Sequence, residues 1–205
     1  AQATVLDLTE QMLLEGRERA QAQARADALD WVVGDAMALP CADDSFDAAV
    51  MPLVIFFVPD PAKGVAEMAR VVCPGGSVSA YAWDLSNGGF PYEPLLAEIR
   101  ELGLPYPVPP NPDASRMDAM LTLWTEAGLD AIEVREIVVH RSFSDFETYW
   151  ATALEAPSVG QTLATMASED LARLKARVRA RMPAEAGGQI VHAAHANAVK
   201  GHVPM

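Results

Sequence analysis

The segment from Trp31 to Gly76 constrains the fold of this chain more than any other. A short apolar stretch ends in Gly34-Asp-Ala36, Asp44-Ser-Phe-Asp47 leads into a second apolar stretch, and the segment closes on Pro74-Gly-Gly76. Strands that alternate with helices predict a parallel α/β sheet with right-handed crossovers. Asp35 would then lie just past the carboxyl end of a strand, where open α/β sheets bind ligands.

Other signals place the remaining elements of the first half. Ala3–Asp7 is apolar and β-branched, as a strand should be, and Thr9 can cap the helix that follows. Asp60-Pro61 marks the start of a further helix, and Ser77–Trp83 is expected to be a buried strand. Pro74-Gly-Gly76 is not followed by Lys-Ser or Lys-Thr, so it predicts a sharp turn before that strand and no phosphate loop.

The second half predicts two late strands around a helical insertion. Ile132–His140 and Gln189–Val199 are expected to pair with each other, and helices are expected over 92–102 and 117–127. Ser144 and Ser168 are the predicted N-caps of inserted helices within about 143–183. The chain is thereby divided into a core over 1–84, a connector with lid helices over 85–128, and C-terminal strands of the same sheet over 129–205.

Composition excludes some functions. The length of 205 residues suits one domain, and a net charge of -13 argues against a nucleic-acid partner, because such binding depends on neutralising phosphates. We interpret the basic residues between Arg173 and Arg181 as a solvated helix face. Two cysteines, Cys41 and Cys73, favour a reducing, cytoplasmic setting. No apolar run has the length of a membrane span, and no signal peptide is expected.

Several motifs carry a family resemblance. Val5-Leu-Asp-Leu-Thr-Glu-Gln-Met-Leu13 resembles V-D-L-S-x-x-M-L, and Gly34-Asp-Ala36 followed by Leu39-Pro40 resembles G-D-A with L-P. Glu67-Met-Ala-Arg-Val-Val-Cys-Pro-Gly-Gly76 fits E-M-x-R-V-x-x-P-G-G throughout. In order and spacing these motifs resemble the class I S-adenosylmethionine-dependent methyltransferases, especially the branch of the ubiquinone and menaquinone biosynthesis methyltransferases. The resemblance is dense over residues 4–84 and thin beyond.

The resemblance implies a Rossmann-like class I methyltransferase sheet, mostly parallel with an antiparallel last strand, and S-adenosylmethionine as cofactor. It implies that Asp7 binds both ribose hydroxyls and that Leu8 flanks the adenine. Asp35 would accept from the adenine amine, the Ala36 amide would meet the ring, and Met37 would line the same pocket. The alternatives stay open: Asp7 as an acid at a helix N-terminus, Leu8 as core packing, and Asp35 as an aspartate that supports its own turn.

Met51, at the end of its strand, is expected where cofactor and methyl acceptor meet, with Pro52 and Leu53 on the rim. No residue identifies itself as catalytic. His140 and His195 stay open as acceptor-site bases, although a packed or surface histidine is the more common case.

His192 and His195 lie three apart on a predicted strand and face opposite sides, so we predict no metal site. The aromatic residues of the expected strand Ser77–Trp83 and of the connector could cover the acceptor, but ordinary packing is slightly favoured. They are Tyr81, Trp83, Phe90, Tyr92 and Tyr106.

One part of the family pattern is missing. A class I methyltransferase opens with a strand that ends in a glycine-rich loop, G-x-G-x-G, which lets the backbone approach the cofactor closely. Here Asp7 is followed by no glycine until Gly16, so Val5–Leu8 fits the second family strand better than the first. We therefore expect the chain to begin after the first βα unit and to bind the cofactor poorly as it stands.

The sequence thus predicts methyl transfer to a small, apolar or aromatic acceptor, with O-, N- and C-methylation all open. No nucleic-acid or membrane partner is expected, and a homodimer stays open. Two alternatives remain. One is a non-catalytic binding or scaffold subunit that kept the fold. The other, less favoured, is a nicotinamide-dependent oxidoreductase, whose G-x-G-x-x-G is also missing.

Overall fold

The computed structural model describes residues 2–23, 26–156, 159–182, 184 and 187–205. The strands are β1 Ala3–Asp7, β2 Leu29–Val33, β3 Phe46–Pro52, β4 Val72–Trp83, β5 Asp130–Phe143 and β6 Ile190–His202. The helices are α1 Glu10–Ala22, α2 Pro61–Val71, α3 Glu93–Glu101, α4 Met117–Glu126, α5 Phe146–Glu155, α6 Gly160–Ala164 and α7 Ser168–Arg181. Single 3₁₀ turns occur at Ala26–Ala28, Ile55–Phe57 and Pro112–Ser115.

The strands form two sheets. β1 pairs in parallel with β2, and a separate sheet has the order β3-β4-β6-β5. In the larger sheet β3 and β4 are parallel, while β6 runs antiparallel to both β4 and β5. The predicted antiparallel last strand and its pairing with the strand at Ile132–His140 are therefore confirmed. The division of the chain at residues 84 and 128 stays a prediction.

β4 contains an irregularity that the sequence analysis misplaced. Phe46 lies opposite Val72, but Ala48 lies opposite Ser77, so the intervening residues of β4 form a bulge. Gly75 has a φ of 78°, which glycine adopts without strain. The prediction that Pro74-Gly-Gly76 is a turn before the strand was wrong, because the strand runs through it.

One predicted helix cap, at Thr9, and one predicted helix start, at Asp60-Pro61, are confirmed. Thr9 Oγ1 accepts from the Met12 amide at the start of α1, and Asp60 accepts from the Lys63 amide, with Pro61 in the first turn of α2. Each cap stabilises its helix because it supplies an acceptor to an amide that has no partner within the helix.

Two other predicted caps were wrong by one residue. α5 is capped by Asp145, whose carboxylate accepts from the Thr148 amide at 2.8 Å, while Ser144 shares a hydrogen bond with the Thr148 hydroxyl. That amide holds the pKa of Asp145 below its usual value, because it stabilises the ionised form. α7 begins at Ser168 itself, and its N-cap Ala167 has no side-chain acceptor.

The larger sheet packs against α2 and α4 in one hydrophobic core. Trp124 is fully buried there, and its Nε1 donates to the Val78 carbonyl oxygen at 2.9 Å. A second core joins α3 to the inserted helices around the fully buried Tyr149. Burial raises the pKa of the Tyr149 phenol, whose hydroxyl has no hydrogen-bond partner within the described residues.

The basic residues of α7 do more than face solvent. Arg177 and Arg181 both bind the carboxylates of Glu98 and Glu101 on α3. Lys175 and Arg179 likewise pair with Glu147 on α5. The interpretation of this stretch as a simple solvated face was therefore incomplete, because ion pairs tie α7 to two other helices. Within the described part of the chain, no helix combines the length and apolarity that crossing a membrane requires.

Candidate functional site

A cleft of about 630 Å³ opens between the two sheets. Residues of β1 such as Thr4 and Leu6 line one wall, and residues of β3 from Ala48 to Pro52 line the other. Within the described residues, no strand pairs with the outer edge of β1 or of β3. The volume lies within the range of small-ligand pockets.

Two carboxylates lie at neighbouring strand ends in this cleft. Asp7 ends β1 and Asp35 follows β2, and the strand ends are joined where the Gly34 amide donates to the Asp7 carbonyl oxygen at 3.0 Å. Parallel strands that end together bring their carboxyl-terminal side chains to one edge. Both predicted acidic residues therefore lie in the same cavity.

Each carboxylate uses one oxygen locally. Asp7 Oδ1 accepts from the Thr9 amide and hydroxyl at 2.9 and 3.0 Å, and Asp35 Oδ1 accepts from the Met37 amide at 2.8 Å. The other oxygen of each has no hydrogen-bond partner in the part of the chain that the structure describes. The two local roles weighed against ligand binding are thus present, and each leaves one acceptor available.

Four further residues were predicted to lie near the cofactor, and three of them line the cleft. Leu8, Ala36 and Met51 line the cleft, with Leu8 66% exposed and Met51 buried at the base of the wall. Met37 does not line it: its side chain is half-buried and packs against the first hydrophobic core. Whether Met37 contacts the cofactor stays a prediction: its amide donates to Asp35, and its side chain packs against the first core.

The electrostatic character of the cleft is one-sided. Its lining carries Asp7 and Asp35 but, among the described residues, no lysine, arginine or histidine. The remainder is mostly apolar, including Met12, Val54 and Phe57. Such a lining suits a ligand that is rich in donors or positively charged, and its two carboxylates disfavour a phosphate group, which would repel them.

Hydrogen bonds that could not be predicted from the sequence hold the rim of the cleft after β3. Leu53 has a φ of 56°, a strained value for a residue with a side chain, and its amide donates to the Tyr81 carbonyl oxygen at 2.7 Å. Asn111, in the proline-rich connector, donates to Val58 and Pro59 carbonyl oxygens at 2.7 and 3.0 Å. Nothing local in the sequence signals these contacts, since Asn111 lies more than fifty residues beyond the rim.

The loop after β2 is held by Glu67 and Arg70 on α2. Glu67 accepts from the Leu39 amide at 2.8 Å, and Arg70 donates to the Leu39 and Cys41 carbonyl oxygens. The hydrogen bond from Arg70 lowers the pKa of Glu67, and the bonds from Glu67 and Asp43 raise the pKa of Arg70. The two side chains therefore fix the backbone of the loop that follows Asp35.

The remaining candidates lie away from the cleft. His140 and His195 are not among its lining residues, nor are the aromatic residues of the connector, of which Tyr92 and Tyr106 pack against the second core. His192 Nε2 is buried without a hydrogen-bond partner in the described residues, and burial lowers the pKa of this imidazole. None of these side chains lines the cleft, so we assign them no role in it.

Comparison with known sequences bears on the first part of the chain. A profile of the methyltransferase domain family matches residues 1–80. The ubiquinone/menaquinone biosynthesis C-methyltransferase UbiE of Roseobacter denitrificans is 58% identical over 74 residues, which are 36% of this chain and 30% of that protein. The resemblance to the class I methyltransferases is confirmed.

Two further relatives support the same branch. The UbiE protein of Paracoccus denitrificans is 54% identical over 76 residues, covering 37% of this chain and 30% of its own. A demethylmenaquinone methyltransferase of Desulfitobacterium hafniense is 44% identical over 77 residues, covering 38% and 30%. The aligned part of the chain spans about a third of the length of these relatives.

Solved structures extend the comparison to the whole fold. A Bacillus halodurans protein assigned as a methyltransferase superposes with a TM-score of 0.62 at 19% identity, over 100% of this chain and 84% of its own. Phosphoethanolamine N-methyltransferase 2 of Haemonchus contortus, in complex with S-adenosylhomocysteine, gives 0.56 at 18% identity, over 100% and 44%. The similarity in fold to these two structures therefore extends over the full chain, including the parts beyond residue 80.

Proposed function

We propose that this chain binds S-adenosylmethionine in the cleft and supports methyl transfer to a small acceptor. One observation carries the proposal: Asp7 and Asp35 lie at adjacent strand ends in an otherwise apolar cleft whose described lining holds no basic side chain. A cofactor with a ribose diol, an exocyclic amine and a sulfonium offers donors and positive charge to these acceptors. A dinucleotide would bring a pyrophosphate into the same acidic environment.

The described groups fit the adenosine part of that cofactor. Asp7 and Asp35 each retain an oxygen without a partner among the described residues, and the Ala36 amide makes no hydrogen bond there either. One acceptor and one donor side by side, at Asp35 and Ala36, match an adenine edge, while Asp7 matches the diol. Leu8 supplies an apolar surface for a ring face.

The bound cofactor would supply a methyl group that moves to the nucleophile of the acceptor as its bond to sulfur breaks, with the electron pair kept by sulfur. The chain's own contribution is to position the reactants and exclude water, which can lower a barrier by several kcal/mol. Met51, Leu53 and Phe57 line the end of the cleft that would do this.

A small, apolar or aromatic acceptor is the class that we propose. The rim after β3 exposes Val54 and Phe57, 39% and 57% accessible, beside the cleft. Exposed apolar surface next to a pocket is typical of a site for an apolar partner. The names of the relatives, which refer to ubiquinone and menaquinone biosynthesis, also favour an aromatic ring.

Calorimetry with S-adenosylmethionine tests the site through Asp35→Ala. Loss of one hydrogen bond to a ligand is expected to weaken binding by about 1–3 kcal/mol, roughly 5- to 150-fold in Kd. Asp170→Ala, an exposed carboxylate on α7, is the matched control and should bind as the parent chain does. Equal affinity of Asp35→Ala and the parent chain, or no binding by the parent chain, would contradict the proposal.

A thermal-shift comparison separates cofactor classes. S-adenosylmethionine and its demethylated product should each raise the unfolding midpoint of the chain, since a ligand that binds only the folded state stabilises it. NAD at the same concentration should not. Stabilisation by NAD alone would favour the oxidoreductase alternative.

A non-catalytic binding subunit is the second candidate. The observation that favours it is the lining of the cleft, which offers two carboxylates for binding but, among the described residues, no histidine or lysine that could act as a general base. The two functions differ in turnover. Incubation with methyl-labelled cofactor and a panel of phenols and quinols should yield labelled product if the first proposal is right, and cofactor binding without label transfer would favour the second.

A further inference from the structure

The outer edge of β5 has the properties of an interface. β5 is the last strand in the order β3-β4-β6-β5 and pairs only with β6 among the described residues. Both of its faces are largely exposed, including Val134, Val138 and Val139 at 42%, 49% and 42%. A long exposed edge strand with apolar β-branched side chains is a template for pairing with another strand, and proteins normally protect such edges.

The strand is regular over the part that could pair. From Glu133 opposite Lys200 to Phe143 opposite Ile190 the register of β5 with β6 continues without a break. The irregularity lies before it, where Ala131 has a φ of 46°. β5 contains neither proline nor lysine, the residues that most often block edge pairing. A regular stretch of eleven residues, 133–143, is therefore available for pairing.

Charge also distinguishes this stretch from the rest of the chain. The whole chain has a net charge of -13, which opposes association of two copies. Residues 133–143 carry two glutamates and two arginines, and so are balanced. The partner that such a strand fits best is one with the same alternation of apolar and balanced charged residues, which a second copy of β5 provides.

Symmetry restricts how two copies can pair. Two identical strands related by a two-fold axis run antiparallel, and along a regular strand the backbone groups of alternate residues point to the same edge. When two residues lie opposite each other, the backbone N–H and C=O groups of both must point toward the other strand, or those of both must point away from it. The two-fold axis must therefore pass between one residue and the same residue of the second copy. Each residue of β5 thus defines one possible register.

Only one central register brings opposite charges together. An axis at Arg135 or Glu136 places that charge against itself, and an axis at Val138 places Arg135 against Arg141 twice. Like charges directly opposite each other are destabilising, whereas opposite charges stabilise a strand pair. An axis at Ile137 places Glu133 against Arg141 at both ends.

The other positions of this register are compatible with pairing. With the axis at Ile137, Val134 lies opposite His140 and Glu136 opposite Val138. An axis one residue further on, at Val139, leaves Arg141 opposite Ile137 and brings no ion pair into register. The distribution of charges along β5 therefore selects Ile137 among the central positions.

We infer that two copies of this chain pair along β5, antiparallel, with Ile137 on the two-fold axis and Glu133 of each copy beside Arg141 of the other. The two four-stranded sheets then form one continuous sheet of eight strands. The cleft between β1 and β3 lies at the opposite edge of the larger sheet, so pairing leaves it open. The inference does not depend on the proposed function.

A charge exchange tests the register. Sedimentation velocity between about 1 and 100 µM should show a monomer–dimer equilibrium for the parent chain. Glu133→Arg and Arg141→Glu should each weaken the dimer about tenfold or more, because each creates two like-charge pairs at once. The double variant should restore the parent affinity, since opposite charges face each other again.

Controls separate this pairing from other effects. Glu169→Arg and Arg173→Glu make the same charge changes on α7, where the two residues form an exposed ion pair, and should leave association unchanged. Thermal melting of each variant checks that the fold is retained. A parent chain that is monomeric at 100 µM, or a double variant that is no better than the single variants, would overturn the inference.

Discussion

The β1–α1–β2 unit and the larger sheet are both built from apolar strands, but they bury very different fractions of them. No residue of β1 or β2 is fully buried, and α1 contributes only Leu13 and Ala20 to the buried residues described in this unit. In the larger sheet Val78 and Val199 are fully or almost fully buried, beneath Trp124. Yet the methyltransferase-domain match covers residues 1–80, which include the thinly packed unit. Buried packing does not account for the match in this unit, which agrees with the proposed ligand contacts of Asp7 and Asp35.

The sharpest test of this contrast compares two tryptophans. Trp124→Ala should lower the free energy of unfolding by about 3–5 kcal/mol, because it removes a fully buried ring and leaves the Val78 carbonyl oxygen without its partner. Trp31→Ala in β2, where the ring is half-buried with the Arg17 guanidinium 5.9 Å from its centroid, should cost less than half as much. Urea denaturation measures the free energy of unfolding of both variants. Equal losses would show that the two regions do not differ in how much their packing contributes to stability.

A smaller effect should distinguish two glutamates that bind the same arginines. Glu98 is 4% exposed and Glu101 has a side chain 51% exposed, and both accept from Arg177 and Arg181. Burial disfavours the Glu98 carboxylate, but the two guanidinium groups outweigh it, so its pKa is lowered. Glu98→Ala should cost about 1–3 kcal/mol and Glu101→Ala less than about 1 kcal/mol.

Chemical denaturation of the two glutamate variants in parallel gives this ratio directly. The result shows whether the core formed by α3 and the inserted helices depends on a buried ion pair in addition to its aromatic side chains. A loss for Glu101→Ala that equals the loss for Glu98→Ala would show that burial does not decide the strength of these pairs.

The smallest effect concerns the connection between the two regions, which Glu67 makes through Leu39. The pKa of Glu67 is lowered in the folded state. Its contribution to stability is therefore complete above the unfolded-state pKa of about 4.3, and it is lost as the pH falls through the folded-state pKa. Glu67→Gln should therefore cost about 1 kcal/mol at pH 7 and flatten the acid side of the stability profile.

Urea denaturation at a series of pH values provides the measurement for Glu67. Glu126→Gln, an exposed glutamate on α4, is the matched control and should keep the slope of the parent chain. If Glu67→Gln and the parent chain lose stability in parallel below pH 5, the side chain does not join the two regions in the way described.

Much of the fold followed from short-range signals. The cap at Thr9 and the helix start at Asp60-Pro61 could be recognised because both depend on residues within one helical turn. The pairing of β5 with β6 followed from strand patterning at the two ends of the insertion. Asp145 was missed in favour of Ser144 because both can accept from a helix amide, and only the backbone geometry chooses between neighbours.

The site was predictable where it depends on strand ends and not where it depends on distant contacts. Asp7, Asp35 and Met51 lie in the cleft because each follows or ends a strand. The direction of the Met37 side chain could not be predicted from the sequence, since the turn at Asp35 decides it. The split between the two sheets likewise required the pairing of whole strands to be known.

The Asn111 side chain holds two carbonyl groups of the segment that follows β3, and its own amide donates to a third at Phe56. Connector and rim are thus fastened at three points and should shift together. Insertions or deletions between residues 104 and 112 would then reshape the proposed acceptor entrance, while the residues proposed to bind the adenosine half stay in place. Selectivity could diverge in this way without any cost to cofactor affinity.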